Sequence, residues 1–146
     1  LNYKEHSIGG IIISIMIFLS LLIYTRNITT ALSCSGVSYI MALYPDMDIS
    51  SISKRIITIG TLIIIGYLVY IGGIYQQSIL ILSGLIIIPN IFKHRGVVHT
   101  LKFGVLVSYL IYIVLSNYID IYYGYVVGAG VVGYMTHLML DDHIRI

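Results

Sequence analysis

Charge is what this chain has least of. Eight Lys and Arg and six Asp and Glu make up 10% of its 146 residues, against about a quarter in an ordinary soluble domain. A water-facing surface cannot be covered from so small a supply. The formal net charge of +2, with no basic stripe interleaved with aromatics, excludes nucleic acid as an expected partner. Cysteine occurs once, at Cys34, so no internal disulfide can form. The chain also lacks a Gly-x-Ser-x-Gly elbow, a Walker-type phosphate loop and a dinucleotide fingerprint, and so falls outside three common enzyme classes. No repeat or low-complexity linker divides it, and residues 1–146 read as a single domain.

What is present is hydrocarbon. Hydrophobic residues make up 58% of the chain and the mean hydropathy is +0.97, which places it in the membrane class. Six apolar segments stand out: Ile8–Tyr24, Ile28–Tyr44, Ile56–Tyr75, Ser78–Phe92, Phe103–Ile119 and Ile121–Leu140. Several fall short of the roughly 20 residues that cross a bilayer upright, and Pro89 trims the fourth by removing a backbone donor. The expected fold is therefore all-α, an integral membrane helical bundle with some short or re-entrant segments. The links at Gln76-Gln77 and at Asp120 suit tight helical hairpins. Lys4 ahead of the first run imitates a signal peptide, and Ala31-Leu32-Ser33-Cys34 imitates a lipoprotein box. Arg26 and a polar stretch separate the two, and the first run reads as an uncleaved membrane helix.

Six crossings return the chain to the side on which it starts. All five histidines (His6, His94, His99, His137 and His143) then fall on or near that side, together with Glu5, Asp46, Asp48, Asp141 and Asp142. Lys4, Lys54, Arg55, Lys93, Arg95, Lys102 and Arg145 join them, and only Arg26 lies opposite. Positive residues in short loops mark the cytoplasmic side, so both termini and the polar cluster are expected to face the cytoplasm.

Three groups on that face can carry chemistry. His137 and Asp141 are four apart, which on a helix sets them on one face a turn apart; this suits two ligands of one metal, a carboxylate-oriented His, or simply a helix-end pair. Asp46 and Asp48 follow Pro45 at the end of the second segment, where carboxylates oppose the helix dipole and a cation would relieve them; a solvated, serine-capped turn is the plain alternative. His94 and His99 are five apart and diverge on a straight helix, but a bend at Gly96 can bring both rings to one centre. Arg95 offers a planar fork for phosphate or carboxylate, though with Lys93 and Lys102 it also suits a head-group-binding loop. Imidazoles mixed with carboxylates favour zinc or manganese. Most of the 14 tyrosines read as interfacial or packing residues.

His6 before the first segment, then Tyr44-Pro45-Asp46-Met47-Asp48, His94-Arg95-Gly96-Val97-Val98-His99-Thr100 and Gly133-Tyr134-Met135-Thr136-His137 with Asp141, resemble the YdjM-type (LexA-regulated) membrane-bound metal-dependent hydrolase family. That family's pattern has Leu where Tyr44 stands, Thr at Val98, and Ser at Thr100 and Thr136. It is more distantly similar to zinc-dependent phospholipase C and the single-strand nucleases. The resemblance implies a hydrolase acting on phosphoesters, and a site at the lipid interface favours a lipid head group or lipid-linked phosphate among membrane lipids as substrate. His6, Asp46, Asp48, His94, His99, His137 and Asp141 would hold one to three divalent ions, most simply Zn, with Mn or Mg as alternatives. Asp46 or Asp48 would accept a proton from the attacking water, while Arg95, assisted by Lys93, would hold the substrate. A metal-binding carrier or sensor, or a small structural or pore-forming phage protein, are the competing classes.

The charge bias generates a direct test of topology. Green fluorescent protein fused to either terminus should fluoresce and alkaline phosphatase fused there should stay inactive; the reverse pattern would overturn the orientation.

Overall fold

The computed structural model describes residues 3–48, 52–71, 76–91 and 96–141. These form helices α1 (Tyr3–Thr25), α2 (Ile28–Leu43), α3 (Ile52–Ile71), α4 (Gln76–Ile91), α5 (Leu101–Ser116) and α6 (Tyr123–Leu140). Two 3-10 turns, Tyr44–Asp48 and Val97–His99, precede α3 and α5. The six apolar segments correspond one to one with the six helices, with shifted ends. Gln76 and Gln77 belong to the first turn of α4 rather than to a link, α3 begins at Ile52, and α6 begins at Tyr123.

Local chemistry sets the boundaries. Arg26 takes a left-handed backbone (φ 52°) and ends α1, and the Asn27 side chain accepts from Thr30 N to cap α2. Thr100 caps α5 in the same way through Phe103 N. Pro89 sits inside α4 without ending it. A proline there cannot donate to the carbonyl of Leu85, and the Tyr44 hydroxyl takes that place at 2.7 Å.

Polarity is inverted relative to a soluble bundle. Large aliphatic residues point outward along α1 (Ile8, Ile12, Ile15, Leu19, Ile23) and α3 (Ile56, Ile59, Leu62, Ile63), while Ser38, Ser53, Ser78, Ser108, His6, His99 and His137 are buried. In α3 only Ser53 and Leu68 are buried. Such a surface would aggregate in water and is solvated by lipid chains. Two helices, Glu5–Thr25 and Ile52–Ile71, are long and apolar enough to cross a membrane. The 16-residue α4 and α5 reach about 24 Å each, less than the hydrocarbon thickness of roughly 30 Å.

Helix α2 packs against α1 and α6, and α6 also packs against α5 and α1, while α3 and α4 lean on the Tyr44–Asp48 turn and on each other. Small residues make the closest approach. A Cβ on Gly133 would stand 2.1 Å from the carbonyl oxygen of Ser38, and one on Gly10 would stand 3.0 Å from Ala42 Cβ. Gly133→Ala should therefore force α2 and α6 apart and cost about 1–3 kcal/mol in a detergent unfolding titration. Gly36→Ala, which meets nothing within 4 Å, should be neutral or slightly stabilising in the same assay.

Candidate metal centre

At one end of the bundle, five polar side chains from four separate places in the chain converge. His6 comes from the second turn of α1, Asp46 from the 3-10 turn after α2, His99 from the 3-10 turn before α5, and His137 and Asp141 from the end of α6. His6 and His99 are 2% exposed and His137 is 0% exposed, so this is an interior cluster despite its position at a helix end.

The Asp141 carboxylate holds two imidazoles. Its Oδ1 is 3.1 Å from His6 Nε2 and its Oδ2 is 3.5 Å from His137 Nε2. The two rings stack, with centroids 4.0 Å apart and planes 15° from parallel. Asp46 Oδ1 approaches His137 Nε2 at 3.6 Å, and the His99 ring lies 5.8 Å from that of His137 at a tilt of 58°. Ligand atoms of His6, His137 and Asp141 lie within 4.8 Å of one another.

The far side of the His137 ring fixes its chemistry. Nδ1 lies 2.8 Å from the Ala42 carbonyl, which only accepts, so Nδ1 carries a proton. A neutral His137 then turns its Nε2 lone pair toward two carboxylates. Positive charge beside Nε2, as a proton on His137 or as a bound cation, would suit this arrangement. Both carboxylates also lie at helix C-termini, where the macrodipole favours positive charge. Tetrahedral zinc with bonds near 2.0–2.1 Å sets its ligands about 3.3–3.4 Å apart, between the 3.1 Å and 3.5 Å separations that the two Asp141 oxygens make with His6 and His137. A ligating His that donates its other nitrogen to a carbonyl is the ordinary outer support of such sites. The residues present fit a divalent metal.

Two supports escape a reading by residue type. Ala42 contributes only its backbone carbonyl, which carries no side-chain signal. Tyr134 is fully buried and its hydroxyl donates to the Val98 carbonyl, tying α6 to the turn that bears His99. Its position three residues before His137 was the available hint. His99 N in turn donates to the Gly96 carbonyl at 3.1 Å, so the chain does bend after Gly96 instead of continuing α4. Lys93, His94 and Arg95 lie outside the described residues, as does the side chain of Asp48. Asp46 is buried in the cluster, not part of a solvated turn.

An all-helical protein with lipid-type surfaces and a buried His/carboxylate cluster at one end is an integral membrane protein with a candidate metal site. The chain belongs to the YdjM inner membrane protein family, whose model matches residues 1–144. No curated protein and no solved structure matches it.

Metal removal gives a stability test. A ligand present at 100 times its dissociation constant stabilises by about 2.7 kcal/mol, so a strong chelator should lower the unfolding temperature of the wild type by several degrees. The double variant His137→Ala/Asp141→Ala should be indifferent to chelator. Equal chelator responses of the two proteins would place any metal elsewhere.

Proposed function

We propose that this chain is a membrane-embedded, metal-dependent hydrolase that cleaves a phosphoester of a lipid head group or lipid-linked phosphate at the cytoplasmic face of the inner membrane. The observation that carries this reading is the convergence of buried His6 and His137 on half-buried Asp141, joined by Asp46 at the membrane end of the bundle. A site at that depth meets head groups more readily than soluble metabolites. The resemblance to zinc-dependent phospholipases supports the same substrate chemistry.

His6, His137 and Asp141 would hold the ion, with His99 and His94 completing its surroundings. Zinc suits two imidazoles and a carboxylate best. When bound, such an ion supplies Lewis acidity, lowering the pKa of water toward about 7 and neutralising phosphoryl charge. The residues do the rest. The Ala42 carbonyl holds His137 in the tautomer whose Nε2 faces inward. Asp46, with Asp48 beside it in sequence, accepts the proton of the water that attacks phosphorus. The P–O bond to the leaving alcohol breaks, and the proton passes to that oxygen. Arg95 and Lys93 would grip the remaining phosphate oxygens and offset charge that grows in the transition state.

Purified protein assayed for bound metal and for phosphate release from a lipid phosphoester in mixed micelles tests the reading. Release should need the metal and should fall by about 10²–10⁴ in kcat for Asp46→Asn. Arg95→Ala should raise KM and also lower kcat, since its charge both binds the phosphate and offsets the transition state. Stoichiometric metal with no release from any phosphoester, together with metal flux into liposomes, would identify a carrier instead.

A further inference from the structure

On the face of α2 turned away from the metal cluster, α2, α3, α4 and α5 enclose an apolar cleft. Ser33, Gly36 and Ile40 line it from α2, and Ile57, Thr61 and Ile64 from α3. It runs from Leu32 to Tyr44, twelve residues or about 18 Å along the helix, and ends beside the turn that carries Asp46.

Its dimensions select the occupant. The empty space between its walls is about 1050 Å³, which over that length is a mean cross-section of about 60 Å², less than the roughly 80–110 Å² of an α-helix 10–12 Å across but enough for a hydrocarbon chain. The glycines point the same way. Gly133 and Gly130 lack side chains because Ser38 and Ser108 press against them, whereas a Cβ on Gly36 would meet nothing within 4 Å. The space beside Gly36 is cleft, not helix contact.

Charge marks one mouth. Lys54 lies one turn before Ile57 on the cleft-lining face of α3, and Asn90 lies one turn beyond Ile86 on that of α4. The Lys54 ammonium donates to Asn90 Oδ1, and Asn90 Nδ2 is anchored on the Ile86 carbonyl at 2.6 Å. Arg55, the residue after Lys54, turns to the opposite face of α3 with Gly60. This basic rim is at the same end of the bundle as Asp46, since α3 follows the Tyr44–Asp48 turn.

We infer that this cleft holds one acyl chain of an anionic membrane phospholipid, whose head group sits at the Lys54–Asn90 rim. The inference rests on the membrane placement of the chain and is independent of the hydrolase reading.

Native mass spectrometry tests it on the full chain in detergent supplemented with phosphatidylglycerol or with phosphatidylcholine of the same chains. One phosphatidylglycerol should stay bound per protein, in preference to phosphatidylcholine. Gly36→Leu, which fills the cleft, should reduce retention by on the order of tenfold, as expected when a few methylenes lose their burial. Lys54→Gln should reduce the phosphatidylglycerol preference about fivefold, the scale of one basic side chain near an anionic head group. Gly66→Leu, at an exposed position of α3 that does not line the cleft, is the matched control and should retain lipid fully. Should helical circular dichroism show Gly36→Leu unfolded, Ser33→Leu makes the same test one turn away. Retention unchanged in the filled variant, equal loss in the control, equal binding of both lipids, or a dimer covering the cleft would each overturn the proposal.

Discussion

The meeting of Gly133 with the Ser38 carbonyl is the contact on which the rest of the molecule depends. α2 and α6 are not neighbours in sequence, and only a residue without Cβ lets their backbones come this close. One turn further along both helices, the same closeness brings the His137 ring to the Ala42 carbonyl. A wider separation would leave that ring free to rotate and the Nε2 atom without a fixed direction. Gly10 against Ala42 repeats the device between α1 and α2, and one turn before it His6 reaches the stack with His137. Packing by small residues and positioning of imidazoles are thus one arrangement.

Lipid changes what such a cluster costs. Two carboxylates and three imidazoles gathered at the end of an apolar bundle are expensive unless their charges balance and their lone pairs are engaged. A divalent cation would satisfy both needs. Elsewhere the chain meets the same demand with its own hydroxyls. Tyr44 restores the bond that Pro89 deletes, Tyr134 takes the Val98 carbonyl, and Ser108 returns to Gly104. Backbone groups inside a bilayer must find partners within the protein, and the two tyrosine bonds also lock turns that carry a site residue.

Composition and segment length made the six helices legible, because runs of Ile, Leu and Val leave little else possible. The convergence of His6, Asp46, His99, His137 and Asp141 was also legible, since an even number of crossings returns all of them to one end. Helix partnership was not. Nothing in the spacing of Gly130 and Gly133 says whether Ser38, on α2, or another helix receives them. Burial of Asp46 was equally hidden, because Pro-Asp-x-Asp reads the same in a solvated turn and in a folded site. The Tyr44 bond depends on a carbonyl 41 residues away, a relation that only three-dimensional packing creates.

His6 belongs to α1 and Asp141 follows α6, so their contact joins the first and last described helices. A ribosome-bound chain emerges N-terminus first and would insert α1 with its histidine long before Asp141 exists. During that interval His6 has neither carboxylate nor stacking partner, and the early helices carry an incomplete polar end. Completion of the centre therefore waits for α6. A cell that inspects membrane proteins for exposed intramembrane polar groups would read this site as finished only when α6 has docked.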